Sequence, residues 1–340
     1  MSGFSYLARR LVMAVVVVVA VSILTFLVVR IVPSDPAALF AGPRPTQSQI
    51  TQARERLGLD RPLPVQYLAF AGRVLHGDFG VSFKTRRPII TDIGTFLPAT
   101  LELVIASTVL SLLIGVPIGA LAGARPGGWI DQASRFVAIA GVSVPTFWLA
   151  MILQLFFFRQ LGWLPLSGRV AQETTLFNPI ASITGLNTLD ALLTGNWKGF
   201  ADAAWHLILP AVTLAAYPIG LTTRMMRAGM IETMQEKHIL AARALGHSER
   251  FILFRYALKV AFAPNLTVLG LSFAYSLTGA FLVEVIFSWP GLGRYVTDAI
   301  LNVDFPVIMA VTLVVTVFYV VINLAVDLLH ALLDPRIVLQ

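Results

Sequence analysis

Residues able to do covalent or acid–base chemistry are thinly spread along this chain. The five histidines (His76, His206, His238, His247 and His330) stand singly and there is no cysteine. That removes disulfides, thiolate zinc sites and iron–sulfur clusters together. Neither a His-Glu-x-x-His zinc helix nor a Gly-x-Ser-x-Gly nucleophile turn occurs. There is no Gly-x-x-x-x-Gly-Lys-Ser/Thr loop, so the chain has no phosphate cradle for ATP. The run GLGRYV from Gly291 starts like a dinucleotide-binding turn, but it lacks the third glycine and follows an apolar segment instead of a strand. No catalytic, metal or cofactor site is expected.

The residues chosen most unusually for their setting are HILAARALGHSER, His238 to Arg250, between two long hydrophobic segments. The pattern predicts a helix over residues 232–245, ended by Gly246, which tolerates the left-handed conformation. Ser248 is placed to cap a second helix running through FILFRYALKV. Ala241, Ala242 and Ala244 offer little bulk near the turn, so a partner can come close, while Arg243, Arg250 and Arg255 put charge at the margin. The chemistry is that of a docking element, with an ordinary loop as the plainer alternative.

What positions this element follows from composition. The 340 residues are 57% hydrophobic and 13% charged, about half the charge of an ordinary soluble chain. With a mean hydropathy of +0.79, the chain reads as an all-α integral membrane protein. Residues 11–29 carry no charge and follow Arg9 and Arg10. The run is longer than a signal-peptide core and no small-x-small cleavage site follows, so it reads as a retained transmembrane helix. Five more spans are expected at 97–123, 136–158, 207–224, 260–287 and 307–329, making six and placing both termini on one side. Arg9, Arg10, Arg125, Arg135 and Arg336 fall on that side, as does the segment 224–259 with its seven basic and three acidic residues. By the positive-inside rule that side is cytoplasmic. The net charge of +7 is therefore a matter of membrane topology, not of nucleic acid.

The expected organisation is a cytoplasmic N-terminus (1–10), a first helix (11–32) and an extracytoplasmic insertion (33–96). A core over 97–330 follows, with an external loop at 159–206 and a cytoplasmic loop at 225–259, then a tail at 331–340. Within the insertion, TQSQITQARERLG has helical spacing with Gly58 to stop it, and PLPVQYLAFAGRVLHGDFG reads as a second helix ended by Gly77.

Inside the spans, Ser107, Ser111, Gly115, Gly119 and Gly123 make a stripe of small residues that lets another helix come close, within this chain or in a second subunit. Pro117, Pro145, Pro210, Pro218 and Pro264 should bend or unwind their helices. Asn265, Ser272, Tyr275, Ser276 and Gly279 fall on one side of the fifth span, and Ser143, Thr146 and Gln154 mark the third. Either a translocation path or hydrogen bonding between helices accounts for them. Glu102, Glu284 and Asp327 sit near predicted span ends, where snorkelling lowers their cost. The absence of a buried chain of acids and histidines argues against a proton-coupled transporter.

The docking stretch resembles the Glu-Ala-Ala-x-x-x-Gly motif of ABC importer permeases: Ala241, Ala242 and Gly246 match, and Leu240 stands where the motif has glutamate. LGLDRPLPVQY from Leu57, GDFGVSF from Gly77, HLILPAVTLA from His206, IFSWPGLGR from Ile286 and LLDPR from Leu332 resemble the dipeptide, oligopeptide and nickel branch, in its order and over nearly the whole chain. The chain looks like the first of two permease subunits in such systems.

This resemblance implies a type I ABC importer permease fold in a bacterial inner membrane. A second permease would complete the pore, two ATPase subunits would bind ATP and magnesium beneath it, and an extracytoplasmic binding protein would deliver the substrate. Residues 241–246 would couple to an ATPase, and the helices over 46–76 would lie near the binding-protein docking surface. Short peptides are the expected solute, with nickel complexes, glutathione, opines or oligosaccharides carried by relatives. A stand-alone secondary transporter or channel is the alternative reading.

Overall fold

In the computed structural model, residues 3–31, 35–42 and 44–333 are described. Of the expected tail, 334–340 lie outside the described residues, with Arg336 and most of the LLDPR run among them. The described chain is helical, with one isolated antiparallel bridge, Val81 to Pro88, and no strand.

Five helices are long and apolar enough to cross a membrane: Ala8–Arg30, Ile89–Ala124, Trp197–Thr233, Glu249–Ile286 and Phe305–Leu328. The remaining hydrophobic run, expected as one helix over 136–158, is instead two helices, Trp129–Ser143 and Thr146–Gln160, bent by 106°. Pro145 explains the break, because it withholds a donor and pushes Val144 to extended backbone, ψ 124°. Each arm has 15 residues and reaches only about 22 Å, so neither alone crosses ~30 Å of hydrocarbon. Taken together, the pair is long and apolar enough to be one broken span, which makes the number of spans five to six.

Proline acts differently in the second span. Ahead of Pro117 the helix loosens into a π turn over Ser111–Gly115, which absorbs the lost bond without a break. The fourth span holds Pro210 and Pro218 within a continuous helix of 37 residues and packs against the second, third and fifth.

The stripe of small residues faces this central helix. A Cβ on Gly115 would lie 2.9 Å from Thr222 Cβ, and one on Gly119 would lie 2.6 Å from the Thr223 carbonyl oxygen. Gly220 comes as close to the third span, 2.8 Å from the Ala138 carbonyl. Of the two readings of the stripe, packing within this chain is the one found, and it fits membrane helices that cohere by close backbone approach.

Between the first two spans lie three short helices, Pro36–Ala41, Gln47–Arg56 and Leu63–Leu75. The second begins with a reciprocal capping box between Thr46 and Gln49. Gly58 and Gly77 end these helices at φ 64° and 78°, conformations open to glycine. The third helix docks on the first span: Phe70 stacks on Phe26 at 6.0 Å, and the hydroxyls of Tyr67 and Ser22 lie 2.7 Å apart.

Candidate functional site

The polar stretch between the fourth and fifth spans is a helix, a turn and a helix. The fourth span runs to Thr233, and a separate helix, Lys237–Ala244, follows. The chain therefore breaks at 234–236, inside the region expected as one helix from 232. Beyond Ala244 the exit is closed by two backbone bonds, Gly246 N–H to Arg243 O at 2.9 Å and His247 N–H to Ala242 O at 3.2 Å. This is a Schellman turn, and Gly246 holds its left-handed position at φ 81°. Ser248 then accepts from Phe251 N–H and opens the helix that becomes the fifth span. Arg243 donates to Glu249 through Nε at 2.8 Å and Nη2 at 3.2 Å, stapling the two helices across the turn. That hydrogen bond raises the Arg243 pKa above its ordinary value, against a smaller opposing effect of burial.

Burial divides the alanines. Ala242 is buried with Ile239, Met230 and Ile252, so it anchors the helix to its own chain. Ala241, Ala244, Gly246 and Arg243 are exposed, as are Leu240 at 55% and Leu245 at 78%. The outward face thus combines three small residues with two leucines, while its Arg243 is already paired. Beside it His247 stacks on Phe251 at 4.9 Å, with Phe251 edge-on to Tyr256 at 5.7 Å. This aromatic group carried no signal in the sequence beyond the presence of the three rings.

The base of the same end is held by Asp131, which is fully buried. It accepts from Arg227, from Arg135 at 2.8 Å and from Gly127 N–H at 2.9 Å. Arg135 and Arg227, both read as cytoplasmic from sequence, thus meet on one carboxylate.

The polar residues of the third and fifth spans do not form one surface. Asn265, Ser272 and Ser276 are buried. Asn265 donates to Ala261 O at 3.0 Å and to Met226 Sδ at 3.3 Å, while its Oδ1 and the Ser272 hydroxyl have no partner. Tyr275 lies on another face, 63% exposed, with its ring 5.3 Å from that of Tyr217. Ser143 is exposed and Thr146 half-buried at the third-span bend. Gln154 donates to Leu166 O at 3.0 Å and Ile286 O at 3.3 Å, tying the third span to the C-terminal end of the fifth.

Of the acids near the span ends, Glu102 and Glu284 are buried and do not snorkel. Glu102 is buried and paired with Arg169, and it also accepts from the Thr188 N–H and hydroxyl at 2.7 Å. Arg169 is folded back from the loop between the third and fourth spans, 5.6 Å over the ring of Trp289. Glu284 is buried without a cation and accepts from Thr100 Oγ1 at 2.6 Å and Arg294 N–H at 3.0 Å. It caps the helix Leu292–Leu301, where the helix dipole favours an anion. Asp327 pairs with Arg10 at 3.1 Å. Sequence position near a span end could not separate these arrangements from snorkelling, because the partners come from distant segments.

Outside the spans, burial pushes the Asp190 carboxyl up, but the Thr184 hydroxyl and the N–H groups of Thr184, Ile183 and Gly185 outweigh it and hold it below its ordinary value. Burial, followed by the charge of Asp92, raises the Tyr295 phenol well above its usual range. Among the described residues no group of three or more His, Cys, Asp or Glu is placed to hold a metal ion.

Five to six apolar spans, with a stapled helix–turn–helix at one end, define a multi-pass helical membrane protein. The sequence matches the family of binding-protein-dependent transport system inner membrane components over residues 115–339, and the N-terminal region of such membrane components over 3–104. The chain belongs to this family: it is an ABC-importer permease subunit of the bacterial inner membrane, not an enzyme. It is 42% identical over 337 residues to the probable D,D-dipeptide transport system permease protein DdpB of Escherichia coli K12, covering 99% of this chain and 98% of that one. It is 39% identical to the dipeptide transport system permease protein DppB of Alkalihalophilus pseudofirmus, covering 98% and 99%. The di/tripeptide transport system permease protein DppB of Pseudomonas aeruginosa is also 39% identical, with 98% of each chain covered.

Proposed function

We propose that this chain is the first of two permeases in an importer of short peptides, and that residues 241–246 couple it to an ATPase subunit. The observation that carries the coupling role is the stapled turn, with Leu240, Ala241, Ala244 and Leu245 facing outward. A rigid, small-sided projection of this kind fits a cleft on another chain and transmits force in both directions. The peptide substrate is supported by the three relatives described above, which are named as D,D-dipeptide, dipeptide and di/tripeptide systems.

In this reading a second permease completes the pore, two ATPase subunits hold ATP and magnesium, and an extracytoplasmic binding protein docks near the helices over 46–76. Both termini and the loop 225–259 are cytoplasmic, in keeping with the basic residues gathered there. ATP-driven closing of the ATPase dimer would push the two coupling elements together and turn the pore outward.

The test is the reconstituted complex with residues 241–246 deleted, or with Gly246→Val. Loss of peptide-stimulated ATP hydrolysis in an assembled complex is expected. Unchanged coupling in an intact complex would remove the role from this element, and gradient-driven transport by this chain alone would favour a secondary transporter.

A further inference from the structure

The fifth span has a second face, and of the residues in the polar pattern only Tyr275 belongs to it. Pro264, Thr267, Leu271, Tyr275, Thr278 and Leu282, spaced by three and four, are all exposed. The exposed surface of the first span is entirely aliphatic around its middle, with Val12, Val15, Val16, Val19 and Leu24, as contact with lipid requires. The stripe on the fifth span differs in kind, because two threonines, a proline and a tyrosine stand among the leucines.

Tyr275 is the centre of this stripe. Its ring lies 5.3 Å from that of Tyr217, inclined by 33°, and Tyr217 sits near the middle of the fourth span. Tyrosines that face lipid collect at the two membrane interfaces. A phenol at mid-depth without a polar partner is costly in hydrocarbon. A surface with these groups at that depth belongs against water or protein.

We propose that this stripe, with the Tyr217–Tyr275 pair at its centre, is the chain's half of the translocation surface and touches the passing peptide. This deepens the transporter reading and rests on it. Asn265, Ser272 and Ser276, buried on the opposite face, then serve packing between helices.

The chemistry suits an extended peptide of varied sequence. A phenol both donates to and accepts from a peptide group, and its ring covers apolar side chains. Residues 260–283 contain no charged side chain, so nothing fixed on this span traps or repels a charged peptide. Weak contact of this sort lets a solute enter and leave, which conduction demands.

The chain has no cysteine, so single-cysteine labelling needs no altered background in this chain, and the same complex with the unaltered chain gives the partners' own reaction. Tyr275→Cys and Thr278→Cys would be assembled with the second permease, the ATPase subunits and the binding protein. They would then be treated with a membrane-impermeant methanethiosulfonate, without nucleotide and after trapping with ATP and vanadate. Both should react about tenfold or more faster than Val16→Cys on the first span and Ser272→Cys on the buried face, because only a hydrated thiol ionises and attacks. The rates should differ between the two states, and alanyl-alanine with binding protein should slow them. If both variants stay as inert as Val16→Cys in both states while peptide-stimulated ATPase persists, the stripe faces lipid or the second permease and the proposal falls. Loss of partner-dependent ATPase in the unaltered chain would instead overturn the transporter reading, so the two failures are distinct.

Discussion

Gly291 lies so close over the carboxylate of Glu284 that a Cβ there would fall inside contact distance of both oxygens. Two residues on, a Cβ on Gly293 would run into the Phe281 backbone. The glycines of the SWPGLG run are thus spaced to let a loop fold down onto a buried carboxyl group and the helix that carries it. Thr100 completes the arrangement, donating to Glu284 at 2.6 Å and accepting from Leu292 N–H at 2.8 Å. The second span, the fifth span and the helix Leu292–Leu301 meet at this one carboxylate.

Gly291→Ala should therefore destabilise the permease more than Gly162→Ala, since nothing lies within 4 Å of a Cβ at Gly162 and only its φ of 64° opposes the change. Overpacking of this kind costs about 1–3 kcal/mol. Thermal unfolding of the purified complex, followed through the fluorescence of the nearby Trp289, checks it. Equal melting temperatures for the two variants would contradict the packing argument.

A second buried carboxyl group behaves differently because its partner is a charge. Glu102 is paired with Arg169, which also donates to Gly185 O at 2.9 Å. Arg169→Ala would leave that carboxylate buried and uncompensated, at a cost of about 3–5 kcal/mol. The double variant with Glu102→Leu should recover much of the loss. A thermal-shift series on the wild type, both single variants and the double reads the coupling directly. Additive effects would deny that the two residues act as a pair.

These two sites mark how far sequence reasoning carries here. The apolar runs, the cap at Ser248 and the turn at Gly246 are local properties, and spacing was enough to find them; the capping box at Thr46 is equally local but was not read from the sequence. The break of the third span at Pro145 was signalled by the proline, but its size of 106° is set by packing. The partners of Glu102 and Glu284 come from 67 and 184 residues away, beyond the reach of any periodicity. The faces of the fifth span were mixed for a related reason: polarity places Asn265 and Tyr275 together, whereas burial by the fourth span separates them.

At the docking turn, Gly246→Val should uncouple before it unfolds. No side chain crowds the position, so the penalty is conformational, roughly 1–2 kcal/mol for a β-branched residue at φ 81°. Peptide-stimulated ATPase should fall while the complex still elutes intact. A complex that dissociates outright would show the turn to be structural only.

Leu240 allows a sharper probe, because it is the one departure from the motif and stands 55% exposed. If an ATPase subunit covers it, Leu240→Glu exchanges apolar contact for a charge, and half the burial of a leucine is about 1 kcal/mol. Affinity of the ATPase subunit for the permease pair should weaken about fivefold, measured by titration in detergent or nanodiscs. Tighter binding would mean that the cleft offers a cation to the glutamate of the motif.

The loop between the third and fourth spans supplies a pH test. Asp190 accepts from Ile183, Thr184 and Gly185 N–H groups at 2.8–3.1 Å and from the Thr184 hydroxyl at 2.6 Å. Its folded pKa lies below the ordinary carboxylate value, so the unfolded loop binds its proton more readily than the folded one. Stability from this site is then complete above an unfolded pKa of about 3.9 and is lost as pH falls through the folded value. Asp190→Asn should abolish that acid sensitivity and raise hydrogen exchange at residues 183–185 at neutral pH, because a neutral amide is a weaker acceptor for three N–H groups. Exchange at these three amides, compared at pH 7 and near pH 3, gives the measurement. A wild-type loop equally protected at both values would show that the carboxylate does not hold the turn.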